Sequence, residues 1–187
     1  MKVLVIPEDP VLDQFVLKPV VERMFENLGR RARVQVLTSP RMQGIDQALD
    51  REQLAEVVAK LRGMFNVFLL MVDRDAVESR AALAATREAE HPDLLFACLA
   101  IEEVEVWMLA LHRERLGVPW GDVRADRDPK ERFAAPLLRE LAPRMALGGG
   151  RVRAMELLGQ KEWRTLLQLC PELGELQRRL AEWLLRH

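Results

Sequence analysis

The chain has 187 residues, 49% of them hydrophobic, enough to bury a substantial core in one domain or in one domain with an appendage. With 28 Lys and Arg against 29 Asp and Glu the formal charge is -1, which excludes a surface that coats nucleic acid as a whole, so any such contact must be local. The two cysteines, Cys98 and Cys170, are too few for a disulfide framework or a zinc site and point to a reducing cytoplasm, and no apolar run approaches the roughly 18 residues of a membrane span.

"KVLVI", 2 to 6, is an apolar run ended by Pro7, too short for a helix and suited to a strand buried on both faces. A helix is expected from Asp9 or Pro10 to Asn27, with Pro19 kinking or dividing it and Gly29 beyond its end. "ARVQVLT", 32 to 38, alternates as a strand does, and after the Pro40 to Gly44 loop comes an amphipathic helix built on Ile45, Leu49, Leu54, Val57, Val58 and Leu61, closed by Gly63. "NVFLLMV", 66 to 72, is the most apolar strand candidate and runs straight into Asp73, Arg74 and Asp75.

An Ala-rich helix is expected from about 76 to 89, broken by His91 and Pro92, then a fourth strand over 93 to 100 and a helix over "EEVEVWMLALHRERLG". Strands and helices alternating in this way predict an α/β fold, a parallel sheet of four or slightly more strands flanked by helices. Past Val118, Pro and Gly punctuate short helical pieces, with a last helix over about 174 to 186. The expected organisation is an α/β domain over 1–118 and a helical appendage packed on it over 119–187.

Ligands of open parallel sheets bind at the carboxyl ends of the strands. That rule gathers Glu8 and Asp9, Asp73 and Asp75, and Glu102, Glu103 and Glu105 on one rim. Carboxylates from several strand ends suit a hard divalent cation, which keeps waters and leaves room for phosphate oxygens. Asp73 and Asp75 can converge on one ion only if the chain leaves the extended conformation, because a regular strand holds them about 7 Å apart.

Singly, each acid has a plainer explanation as a cap, a turn residue or an acid near a helix start. Ile101, Val104, Met108 and Leu111 form the expected core stripe of the following helix, leaving Glu103 and Trp107 together off it, Trp107 as a packing residue or, less simply, a base-stacking platform. Residues 1–123 carry 15 basic and 20 acidic side chains and 124–187 carry 13 and 9, a division that suits holding cations and gripping an anion, or simply solvated faces. "GRRAR" (Arg30, Arg31, Arg33) and "GGGRVR" (Arg151, Arg153) are the local basic segments.

"VLVIPED" followed by "FLLMVDRD" resembles the toprim domain of topoisomerases, primases and overcoming-lysogenization-defect nucleases. "AIEEVEVWMLA", with "DPKERF" and "LCPEL" downstream, resembles a bacterial toprim-like family with a Glu-x-Glu-x-Trp helix, often found in defence-associated gene neighbourhoods. The resemblance implies a toprim/Rossmann-like fold and a magnesium- or manganese-dependent phosphodiesterase, a nuclease or a nuclease-related component of a defence system. It implies Asp73 and Asp75 as metal ligands, Glu8 as a ligand or general acid/base, and Glu103 and Glu105 as further acids of the centre. Lys130 matches the Pro-Lys position, and Arg151 and Arg153 join it as candidate phosphate contacts. Nucleic acid, a protein encoded nearby and further copies of the chain are the partners in view. Toprim domains usually place Gly after the strand-one Glu, where this chain has Asp9.

Two other functions fit parts of the pattern. A receiver-like signalling module would use the acids after strand one and Asp73 as phospho-acceptor, but would want a lysine after a fifth strand. A binding or scaffold protein would keep the acids in ion pairs with arginines such as Arg74 or Arg80 instead of facing an open crevice.

Overall fold

The computed structural model describes every residue except Ala76 and Arg144. Four strands, β1 (Lys2–Ile6), β2 (Arg33–Val36), β3 (Val67–Asp73) and β4 (Leu95–Ala100), form one sheet in the order β2-β1-β3-β4, every pair parallel. The α/β fold with a parallel four-stranded sheet flanked by helices is therefore as expected. The chain moves from β1 to β2 on one side and then returns to place β3 on the other, so the topological switch lies between β1 and β3.

Side-chain alternation divides the core in two. Leu4, Ile6, Phe68, Leu70 and Val72 pack under α2 (Ile45–Ala48), α3 (Arg51–Leu61) and α4 (Ser79–Ala89). Val3, Val5, Val67, Leu69, Met71, Phe96 and Cys98 face α1 (Gln14–Asn27) and α5 (Glu105–Leu111). The same period puts Asp73, the last residue of β3, on the α1 and α5 face.

The later helices, α6 (Trp120–Ala125), α7 (Ala135–Leu141), α8 (Arg151–Met155), α9 (Gln160–Leu169) and α10 (Pro171–Arg186), are joined by short 3-10 turns and a π-helical turn, Lys130–Ala134. Their apolar residues Val123, Leu137, Trp163, Leu173, Leu176 and Trp183 belong to the same core cluster as the α1 and α5 face of the sheet. Gly148, at φ 64°, closes the turn before α8 against Phe15: a Cβ there would stand 2.6 Å from that ring.

Burial of α5 on all sides follows from this layering. Trp107 is fully buried, and its Nε1–H donates to Glu172 Oε1 at 2.9 Å, so it is a packing residue and has no face to offer a base. The expected stripe holds at Val104 and Met108, but Val106, Leu109 and Ala110 are buried as well. Residues 101 to 104 form a turn with Glu102 at φ 67°, not the first turn of a helix. The one helix expected from Ile45 to Leu61 is two, α2 and α3, divided at Leu49 and Asp50, where Asp50 Oδ1 accepts the Gln53 N–H at 2.8 Å and caps the start of α3. Elsewhere the differences are at boundaries. A turn precedes α1 at Gln14, Pro19 lies inside α1 without ending it, and α4 begins at Ser79, while Ala76, its expected first residue, lies outside the described residues.

Strand β4 is an edge, and a side-chain ion pair covers part of it. The Ala97 N–H donates to Glu88 Oε2 at 2.7 Å, Ala97 O accepts from Arg179 Nη2 at 2.6 Å, and Arg179 pairs with Glu88. Among the described residues no helix is long and apolar enough to cross a membrane.

Candidate metal centre

Beyond the switch between β1 and β3, the loops that leave β3 and β4 are tied together. The Arg74 N–H donates to Ala100 O and the Asp75 N–H to Glu102 O, each at 3.1 Å. At Asp75 the backbone turns left-handed, φ 47°, which is the departure from extended geometry that convergence of the two aspartates requires. Asp73, Asp75 and Glu103 then each bring a carboxylate oxygen within 4.8 Å of the others.

Each acid is fixed from its own element. Asp73, buried at the end of β3, accepts the Val104 N–H at 2.8 Å and so holds the entry to α5. Glu103, half-buried, accepts the Lys130 N–H at 2.7 Å and caps the π-helical turn. Asp75 is exposed and its Oδ2 is paired with Arg80. Arg74 pairs with Glu102 and, at 3.3 Å, with Glu78.

Glu8 and Glu105 stand beside the group, not within it. Glu8 is half-buried, with Oε2 buried and without a hydrogen-bond partner. Glu105 is fully buried, ion-paired with Arg151 and 3.5 Å from Lys130 Nζ, and its Oε2 is also without a partner. Arg151 accordingly points inward: its guanidinium is held by Glu105 and Gly148 O and is almost wholly buried. Arg153 is exposed and paired with Glu156, away from the acids, while Arg30, Arg31 and Arg33 lie at the opposite end of the sheet, where β2 begins.

The electrostatics are those of carboxylates crowded out of water. Burial, then the charges of Glu8, Asp13 and Glu105, hold the Asp73 carboxyl well above its usual range. Burial pushes Glu103 up to about 7, with Glu105 adding to it. Burial and the charge of Asp75 raise Glu8. Burial disfavours the Lys130 ammonium, but the surrounding Glu105, Glu103, Asp13 and Asp73 outweigh it and raise its pKa.

Asp13 was not anticipated. It is 3% exposed, receives the Asp9 N–H at 3.3 Å, and is pushed up to about 7 by burial and then by Glu105 and Asp9. Its one sequence signal is an acid directly before the apolar helix α1, which reads as an ordinary cap; only the packing of α1 against the rim brings it to the other acids.

Such a set suits a hard divalent cation. Oxygen donors from three carboxylates converge, burial and the neighbouring acids Glu8, Asp13 and Glu105 disfavour the charge on Asp73, and Glu8 keeps an unmatched buried oxygen alongside. The receiver alternative fits less well, because the sheet stops at four strands and no fifth forms among the described residues to carry a lysine at its end. No family model matches the chain, and no curated protein or solved structure matches it.

Proposed function

We propose that the chain is a toprim-like, divalent-metal-dependent phosphodiesterase, most specifically a nuclease or nuclease-related component of a bacterial defence system. The observation that carries the metal part of this reading is the convergence of Asp73, Asp75 and Glu103 at the carboxyl ends of β3 and β4, beside the switch point of the parallel sheet. The phosphodiester and defence parts rest on the sequence resemblance alone.

Asp73, Asp75 and Glu103 would hold magnesium or manganese. When bound, the ion supplies a Lewis acid for a phosphoryl oxygen and lowers the pKa of coordinated water. Glu8, with its raised pKa and unmatched oxygen, is placed to take a proton from water or return one to a leaving group. Lys130, half-exposed beside the acids, would attract a substrate phosphate.

Calorimetric titration of magnesium or manganese into the wild type and the Asp73→Ala, Asp75→Ala double variant tests this. Binding to the wild type that disappears in the variant is expected, followed by metal-dependent cleavage in a screen of single- and double-stranded DNA and RNA. Equal or absent binding in both proteins would sink the enzyme reading.

One observation favours a second function. Asp75 is paired with Arg80, and Arg74 with Glu102, which is the ion-paired arrangement of a protein that keeps the acids without turnover. Metal binding without cleavage of any phosphodiester in that screen would identify a non-catalytic metal-binding or scaffold module.

A further inference from the structure

Beside the acids lies a cavity of about 290 Å³, between the β1–α1 loop, the π-helical turn, α7 and the turn before α8. Leu12, Ala134, Leu138 and Pro143 give it apolar walls, and among the described residues its charged lining is Lys130, Arg139 and Arg151 against Glu131. Lys130 belongs to both places, with its backbone N–H on Glu103, its Nζ 3.5 Å from Glu105, and the residue itself part of the cavity lining. Arg151 is 5% exposed, and its Nε is buried without a hydrogen-bond partner. Arg139 is exposed and in no ion pair among the described residues. A π-helical turn within a helical segment is costly and frequently marks a functional site, and here it supplies Lys130, Glu131 and Ala134 to the wall.

We infer that this cavity seats one nucleoside monophosphate unit, its base against the apolar walls and its phosphate toward Lys130 and Arg139. That the ligand is a nucleotide rests on the phosphodiesterase reading; that a small anionic organic molecule fits here rests on the lining. The volume stands at the small end of ligand sites, which suits one nucleotide unit and not two. A base can enter only when unstacked, so the substrate is a single strand, a strand end or a free nucleotide. The charge of the chain agrees. Gripping a duplex takes cations spread over many phosphates, whereas this protein is at -1 overall, and on this cavity Arg139 is in no ion pair among the described residues while Arg151 and Lys130 already neighbour Glu105.

The test uses adenosine monophosphate as probe, titrated into the full chain in chelator-containing buffer, so that no turnover is involved. Saturable binding is expected, about tenfold or more tighter than inorganic phosphate alone and about tenfold or more weaker after Arg139→Glu. Ala135→Trp, at a half-buried position on the cavity wall, fills the space and should also abolish binding. Circular dichroism melts confirm that each variant is folded, and if Ala135→Trp fails to fold, the exposed Arg139→Glu still decides. The Asp73→Asn, Asp75→Asn double variant should keep adenosine monophosphate binding, which separates failure of the metal reading from failure of this one. A single-stranded tetranucleotide should compete with the probe, and the same sequence in a duplex should not. Adenosine monophosphate binding no tighter than phosphate, binding unchanged by Arg139→Glu in folded protein, or equal competition by duplex would overturn the inference.

Discussion

Asp13 carries the clearest pH dependence in the molecule. Its carboxyl is raised from an ordinary value near 3.8 to about 7 when folded, so between those values the folded protein binds a proton that the unfolded chain does not. Stability gained from that proton is fully present below the unfolded pKa and declines as pH rises through the folded pKa. Metal-free protein is therefore expected to melt at a lower temperature at pH 8 than at pH 5, a difference on the order of a few kcal/mol spread over Asp13 and its neighbours. Asp13→Asn should flatten that profile in thermal melts from pH 4 to 9, and an unchanged slope would show that Asp13 contributes nothing to it. Residues such as Asp73, Asp75 and Glu103 were legible because each follows a strand or opens a helix in the sequence. Asp13 and the inward turn of Arg151 were not, since an acid before a helix and an arginine after three glycines have the same sequence appearance whether they face water or the interior.

Helix α5 links the centre to the core. It is entered through the Asp73 cap on Val104 and fastened within by the buried Glu105–Arg151 pair and the Trp107 bond to Glu172. Asp73→Asn retains an oxygen for the Val104 N–H and should keep near wild-type stability, whereas Asp73→Ala loses the cap and should cost about 1 kcal/mol beyond it, read by urea denaturation. Arg151→Ala leaves Glu105 buried with only Lys130 nearby at 3.5 Å and should cost roughly 3–5 kcal/mol, while a Glu105→Leu, Arg151→Met pair should recover most of that loss. A double variant as unstable as Arg151→Ala would mean the pair does more than cancel its own charges. The four strands were readable to within about two residues because short apolar runs stopped by Pro, Gly or Asp have few other structures open to them. The faces of α5 were not, because a stripe marks burial against one layer, and α5 is covered by the sheet on one side and by helices from distant sequence on the other.

At the scale of the whole molecule, cation binding and folding should be linked. An ion taken up by Asp73, Asp75 and Glu103 binds only where β3, its following loop and the entry to α5 are assembled. Magnesium at about 100 times its dissociation constant should stabilise the fold by about 2.7 kcal/mol, a rise of roughly 5–10 °C in melting temperature for a chain of this size. The Asp73→Asn, Asp75→Asn double variant should show no such rise in a thermal-shift series, and a rise of equal size would place the ion elsewhere. The layering that hid the faces of α5 also ties the last helix to the sheet, where Trp183 Nε1–H reaches Asp93 O at 2.9 Å and Arg179 reaches the rim of β4. That reach bears on solubility. An uncovered parallel edge offers its peptide groups to any extended chain, and here Glu88 and Arg179 occupy the outward N–H and C=O of Ala97 as a neighbouring strand would. Removing both side chains, in a Glu88→Ala, Arg179→Ala protein, should leave the site chemistry in place but open β4 to strand addition from other copies, seen as thioflavin-positive aggregation during storage at concentrations where the wild type stays monodisperse.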